Sequence, residues 1–206
     1  MFDTGEALIE RWESHFPGRQ SLGRELVYRY GSVVRSYHDL THLAHVLQRV
    51  DELADEADQV LLVELAAWYH DAVYDVRRDD NEERSAELAE STLPAYEFSD
   101  SDVAEVARLV RLTRTHAPHG WDRNGSVLCD ADLAILASPP EEYDAYVHAV
   151  RTEYRHVPDP KFVQGRVAVL RRLRALPALF HTKHGHDQWE QAARDNLDRE
   201  LAFLEL

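Results

Sequence analysis

An all-α fold follows from three features of the chain. Apolar residues recur at helical spacing in segment after segment, Gly and Pro fall between those segments, and no stretch alternates convincingly as a half-buried strand would. The first helix is expected over about Thr4 to His15, where Leu8, Ile9, Trp12 and Phe16 share a face and Pro17-Gly18 ends the run. A second is expected from Arg19 to Tyr30, stopped by Gly31. Ser36 with Asp39 three residues on resembles a capping box, which predicts a third helix continuing to about Ala54. Val60-Leu61-Leu62-Val63-Glu64-Leu65-Ala66-Ala67 lacks Gly and Pro and suits a largely buried helix. A polar stretch with Arg77 and Arg78 follows, then a helix through Ala86, Leu88 and Ala89 to Pro94. Further helices are expected from Asp102 to Thr115, from a Ser126 cap to Ala137, from Pro139-Pro140 to Tyr154, after Asp159-Pro160 through Leu173, and from about Asp187 to Leu204.

The chain-wide numbers narrow the class. A length of 206 residues with 44% hydrophobic content buries one sizeable core, and the chain reads as a single domain over 1–206. A net charge of -15 argues against partnership with nucleic acid polymers or anionic membranes, since an acidic exterior attracts neither. A phosphate-bearing substrate then requires a locally positive site. The lone Cys129 excludes an internal disulfide framework and fits a reducing compartment. With no N-terminal signal pattern and no apolar run near the roughly 20 residues of a membrane span, a cytoplasmic protein is expected.

Residues that bind metals or move protons cluster in a few places. His70-Asp71 closes the apolar run, where an unpaired charge is expensive and a carboxylate is normally paired, hydrogen-bonded or on a metal. Adjacent residues on a helix point about 100° apart, close enough to grip one ion. An isolated His-Asp pair reads more simply as a core histidine bonded to its neighbour. His38 and His42 are expected one turn apart on one face, an arrangement that serves a proton donor and a metal ligand together. If the fourth helix persists, Asp75 shares a face with Asp71 and can orient or deprotonate a water. Asp130 and Asp132 stand about 200° apart in another apolar stretch. The helical neighbours of Asp132 are the more apolar, which favours Asp132 as ligand and Asp130 as a supporting or capping residue. His116 follows a helix end. Arg77, Arg78, Arg84, Lys161, Arg166, Arg172 and Arg194 are candidates for holding an anion. The histidines of His181-Thr182-Lys183-His184-Gly185-His186-Asp187 read as a polar loop.

A histidine, then His70-Asp71, then a late aspartate in a helical chain resembles the HD superfamily of metal-dependent phosphohydrolases. The resemblance implies an HD-domain helical bundle, with the metal-site core at about 37–137 and C-terminal helices over 140–206 packed on it. Tyr37-His38-Asp39 followed by His42 is similar to the Tyr-His-Asn-x-x-His segment of cyclic-nucleotide phosphodiesterases. That similarity implies that His38 is the general acid and His42 a metal ligand. Asp130-Ala131-Asp132-Leu133 resembles the superfamily's closing motif, in which the aspartate after Ala ligates, again Asp132. Asp75 resembles an acidic residue of the ppGpp hydrolase branch, although Tyr74 stands where that branch has glutamate. Asp80-Asn81-Glu82-Glu83-Arg84-Ser85 and Ala193-Arg194-Asp195-Asn196-Leu197 are similar to an uncharacterised group of HD phosphohydrolases, which extends the likeness along the whole chain.

The expected chemistry is metal-dependent hydrolysis of a phosphoester, a nucleotide or a related small phosphorylated metabolite. His42, His70, Asp71 and Asp132 supply two nitrogens and two oxygens, a set suited to Mn, Fe, Co, Ni or Zn, with Mg possible. His38 and Asp75 are the expected catalytic pair, and His116, Glu83, Arg84, Arg166 and Arg194 the candidates for a second metal or the substrate. Two other readings stay open: a diiron oxygenase, for which His116 and then His119 would be extra ligands, and a module that senses a nucleotide without cleaving it. The first thirty residues and the tail are equally suited to a homodimer.

Overall fold

The computed structural model describes residues 4–205, and within them every regular element is helical. The helices are α1 (Thr4–His15), α2 (Gln20–Tyr30), α3 (Leu40–Glu52), α4 (Val60–Tyr69), α5 (Asn81–Thr92), α6 (Asp100–Leu112), α7 (Arg123–Leu133), α8 (Pro140–Glu153), α9 (Asp159–Arg174) and α10 (Glu190–Leu204). No helix among the described residues is long and apolar enough to cross a membrane.

The fourth helix is the axis of the larger core. Its residues from Val63 to Tyr69 are all buried, as a helix that is apolar on every side requires. It packs against α3, α5, α6 and α7, while α1 and α2 close over α3. Glu64, the one acid in this run, is held by Arg11 Nε at 2.9 Å and His15 Nδ1 at 2.5 Å. The same Arg11 grips Asp51 with both terminal nitrogens, so one guanidinium joins α1, α3 and α4. A smaller core lies under Leu136, Tyr143, Leu170, Phe180 and Leu197, and Trp189 packs against both cores. Asn196 of α10 donates to the carbonyls of Leu136 and Ser138 at 2.9 Å each, which fixes the turn that follows α7.

Several helix ends differ from the sequence expectation, each for a visible reason. Helix α3 begins at Leu40 because Asp39 itself caps it, accepting from the amides of Thr41 at 2.8 Å and His42 at 3.3 Å. Ser36 is no cap: its amide and those of Tyr37 and His38 donate to Glu153 Oε1 of α8. His38 therefore lies in the loop before α3 rather than one turn below His42 on its face. Helix α4 stops at Tyr69 and does not persist to Asp75, so Asp71 and Asp75 share no helical face. Asp75 shapes its own turn instead, with its amide on Asn81 Oδ1 and its carboxylate on the Arg77 amide, both at 3.0 Å. Helix α7 starts under an Asp122 cap, four residues before the expected Ser126. A π-helical turn, Gly185–Trp189, precedes α10.

Gly23 is the point of closest approach between α1 and α2. A Cβ there would lie 2.4 Å from the Trp12 ring, and Trp12 is fully buried with its indole nitrogen on the Arg19 carbonyl at 2.8 Å. Gly23→Ala is expected to cost about 1–3 kcal/mol through overpacking. Urea unfolding should show a lower midpoint at unchanged slope; an unchanged midpoint would mean that the two helices part without cost.

Candidate metal centre

Three helix ends and one turn deliver the site. His42 comes from the first turn of α3, His70 from the residue that caps α4, Asp71 from the next position, and Asp132 from the end of α7. His70 Nδ1 donates to the Ala67 carbonyl at 2.7 Å, which leaves Nε2 without its proton and aimed at the cluster. That nitrogen stands 3.1 Å from His42 Nε2, 3.2 Å from Asp71 Oδ2 and 3.7 Å from Asp132 Oδ1. His42 Nε2 in turn is 3.3 Å from Asp132 Oδ1 and 3.6 Å from Asp71 Oδ2. His42, His70 and Asp132 form a group whose ligand atoms all lie within 4.8 Å of one another; Asp71 reaches both imidazoles without joining that mutually close set.

The surroundings hold these donors in place. Asp71 donates its amide to the buried Tyr30 hydroxyl at 3.1 Å. Arg35 Nη1 donates to the carbonyls of His38 and Asp71, each at 2.8 Å, so one guanidinium ties the loop before α3 to the turn after α4. His116 Nε2 lies 2.8 Å from Asp132 Oδ2, which turns Oδ1 toward His42. The His116 backbone sits in the left-handed region at φ 50°, a conformation that histidine adopts more readily than most residues.

His38 stands beside this group without belonging to it. Its ring centroid is 5.5 Å from that of His42, and it stacks on Tyr74 at 4.3 Å. Glu153, almost wholly buried, accepts from His38 Nδ1 at 2.7 Å, which leaves Nε2 as the edge for a reacting group. Burial presses the Glu153 carboxyl upward, yet the His38 ring and the amides of Ser36 and Tyr37 hold it below its ordinary value.

The electrostatics suit a cation. Asp71 and Asp132 are mostly buried, and their ion-pair partners among the described residues are histidines, with no Lys or Arg among them. Burial penalises the Asp132 carboxylate, but His70, His116 and His42 outweigh that penalty and hold its carboxyl far below the usual range. Asp71 is held down in the same way by His70 and His38. The imidazoles respond in the opposite sense. Burial alone would lower His42, and its bonds to Asp132 and Asp71 instead raise it from 6.5 to about 9. His70 is also raised against burial by the charges of Asp71 and Asp132.

The donors fit a divalent transition ion. Bonds of roughly 2.0–2.2 Å place neighbouring donors about 3.0–3.4 Å apart, close to the 3.1–3.7 Å separations between the imidazole nitrogens and carboxylate oxygens here. Mixed nitrogen and carboxylate ligation suits Mn, Fe, Co, Ni or Zn.

The other residues singled out by sequence lie elsewhere. Asp130 is fully buried but spent on structure: it accepts from the amides of His181 and Thr182 and from the Thr182 hydroxyl, at 2.7–2.9 Å. Its setting is therefore the more enclosed of the two aspartates, contrary to the apolar-neighbour argument, while Asp132 is the one beside the histidines. Asp75 is exposed. Glu83 is clamped by Arg111, and Arg84 is exposed on α5. Arg166 is paired with Glu200 at 2.7 Å, and Arg194 with Glu190 and with the carbonyls of Arg174, Leu176 and Pro177. His119 stacks on the exposed Trp121 at 5.6 Å. The residues that sequence reasoning passed over are Tyr30, Arg35, Tyr74 and Glu153. Glu153 lies 115 residues from the histidine it holds, and no local signal marks it.

Comparisons with protein-family models, with curated proteins and with solved structures found no match.

The raised His42 value has a consequence for metal binding. In the metal-free protein near neutrality a proton occupies the histidine pair, and an entering ion must displace it. Apparent Zn affinity should therefore rise about tenfold per pH unit from pH 6 toward 9 and level off above. Competition with a chromophoric chelator measures this, and a flat profile would contradict the assignment of His42. The stabilisation that this proton gives the metal-free fold is fully present below pH 6.5 and is lost as the pH rises through about 9.

Proposed function

We propose that the chain is an HD-type metal-dependent phosphohydrolase acting on a small phosphorylated substrate. One observation carries the reading: two imidazoles and two carboxylates converge with no Lys or Arg partner, and a third histidine, oriented by a buried glutamate, stands at their edge. His42, His70, Asp71 and Asp132 would hold the ion. When bound, such an ion polarises a phosphoryl oxygen and lowers the pKa of a water.

The chain's own groups supply the proton traffic. As water oxygen bonds to phosphorus and the ester P–O bond breaks, His38 acts as the doubly protonated imidazolium: it keeps Nδ1–H on Glu153 and gives its Nε2 proton to the departing oxygen. Glu153 fixes which nitrogen faces the substrate, and the Tyr74 ring keeps the imidazole from swinging away. The proton released by the water goes to solvent, because Asp71 and Asp132 are spent as donors and both are held well below the usual carboxylate range. Asp75 carries none in this scheme, because its carboxylate holds the Arg77 amide. Arg35, Arg77 and Arg155 line a hollow beside Tyr74 and Glu153, and none has a carboxylate partner among the described residues, so they are cations available to a phosphate.

The test is phosphate release from nucleotides, cyclic nucleotides, ppGpp and small phosphoesters, with metal-stripped protein resupplied with Mn, Fe, Co, Ni, Zn or Mg. Metal-dependent release from one class is expected. His38→Ala should lower the rate by about 10²–10⁴ while metal content is retained, whereas His70→Ala should lose the metal as well. Silence across the panel in protein shown by elemental analysis to hold metal, or full activity in His38→Ala, would overturn the reading.

A further inference from the structure

A cleft that none of the metal donors lines opens beside His38, between α8 and α9. Its volume of about 450 Å³ lies within the range of roughly 300–1,000 Å³ typical of small-molecule sites. Tyr37, Tyr146, Tyr154 and Phe162 line it with aromatic rings, and Val150 and Val169 fill the gaps between them. Of its two cations, Arg166 is spent on Glu200 and on the Tyr146 hydroxyl at 3.0 Å, and Lys161 is exposed.

A second feature marks the same wall. Gly165 sits in the middle of α9, where glycine weakens a helix relative to alanine. Its backbone does not call for glycine, since Gly18 is the positive-φ glycine among the described residues. Packing does not call for it either, because a Cβ at Gly165 would meet nothing within 4 Å. Helix stability is given up at this position, and the result is a bare strip of helix facing open cleft.

We infer that this cleft receives the leaving group of the substrate, and that this group ends in an uncharged, flat aromatic ring. The inference rests on His38 as the proton donor: the oxygen it protonates belongs to the leaving group, so that group lies on the His38 side, and on that side the walls are aromatic. Flat aromatic rings stack on such faces in offset or edge-on geometry, whereas a short polar alcohol offers no ring to stack. Gly165 is the specificity-determining residue, because any side chain at that position enters the space the ring would take.

Calorimetric titration of the metal-loaded protein tests this without reference to turnover. Adenosine, guanosine, uridine and 2-naphthol are the ring probes, with ribose and cyclohexylmethanol as non-aromatic controls. At least one ring probe is expected to bind while the controls do not; tighter binding of a nucleoside identifies a nucleotide, and tighter binding of naphthol an aryl ester. Gly165→Leu should weaken that binding tenfold or more, with thermal stability equal or higher and metal content unchanged, and Phe162→Ala should weaken it by a similar factor. Equal binding of cyclohexylmethanol, no binding of any ring probe, or binding indifferent to Gly165→Leu would overturn the inference. Metal-dependent phosphate release that is unaffected by Gly165→Leu would remove the cleft alone. Ring binding lost in Gly165→Leu, with no phosphate release from any substrate, would instead fail the phosphohydrolase reading and leave the ring site standing.

Discussion

Two carboxylates placed against two imidazoles inside a helical core form the constraint on which the rest of this structure depends. A carboxylate moved out of water without a counter-charge costs several kcal/mol. Asp71 and Asp132 nevertheless find histidines where an Arg or Lys would have neutralised them fully. The surrounding groups act to keep that arrangement from relaxing. Ala67 takes the far nitrogen of His70, Tyr30 takes the amide of Asp71, and His116 takes the second oxygen of Asp132. Each removes a freedom that would let a donor rotate away, which is how outer partners preserve a metal site.

The donors come from the ends of helices rather than from their middles, and the local sequence explains why. Asp39 caps α3 and so sets His42 in its first turn. Helix α4 ends at Tyr69, and Arg35 collects the exposed carbonyls of Asp71 and Ala72 that the missing next turn would have used. Because Arg35 also holds the His38 carbonyl, the loop carrying the proton-donor candidate and the turn carrying Asp71 move as one unit. The acid that was hardest to place in the sequence, Asp130, locks the 181–182 segment to α7 through four hydrogen bonds and thereby braces the helix that presents Asp132.

This division explains what was legible in the sequence. The helical periodicity of the chain and the acid- and histidine-bearing apolar runs are local patterns, and they marked the helices and brought His42, His70 and Asp132 to notice. The caps were less legible, since Ser36 and Asp39, or Asp122 and Ser126, offer equivalent chemistry a few residues apart and tertiary partners decide between them. Glu153 was not legible at all. It reads as one more acid at the end of an amphipathic helix, and its role exists only because α8 folds back over residues 36–38. Arg35 and Tyr30 fail for the same reason, for their partners lie about forty residues away and include backbone atoms that carry no sequence signature.

Charge resolves how so acidic a chain can present a place for an anion. The net charge of -15 sets a repulsive exterior, and most arginines are already neutralised in pairs: Arg166 with Glu200, Arg194 with Glu190, Arg111 with Glu83 and Glu90. Counting arginines along the sequence therefore overstates what a phosphate would meet. Among the described residues, the cations without a carboxylate partner near His38 are Arg35, Arg77 and Arg155 at one hollow and Lys161 at the aromatic cleft. On the proposed function, a small anionic group with an uncharged ring attached would use both hollows, the anion on the arginine side and the ring against Tyr154 and Phe162. On that same function, the net charge of -15 would weigh against a polyanion, which would meet the acidic surface beyond those arginines.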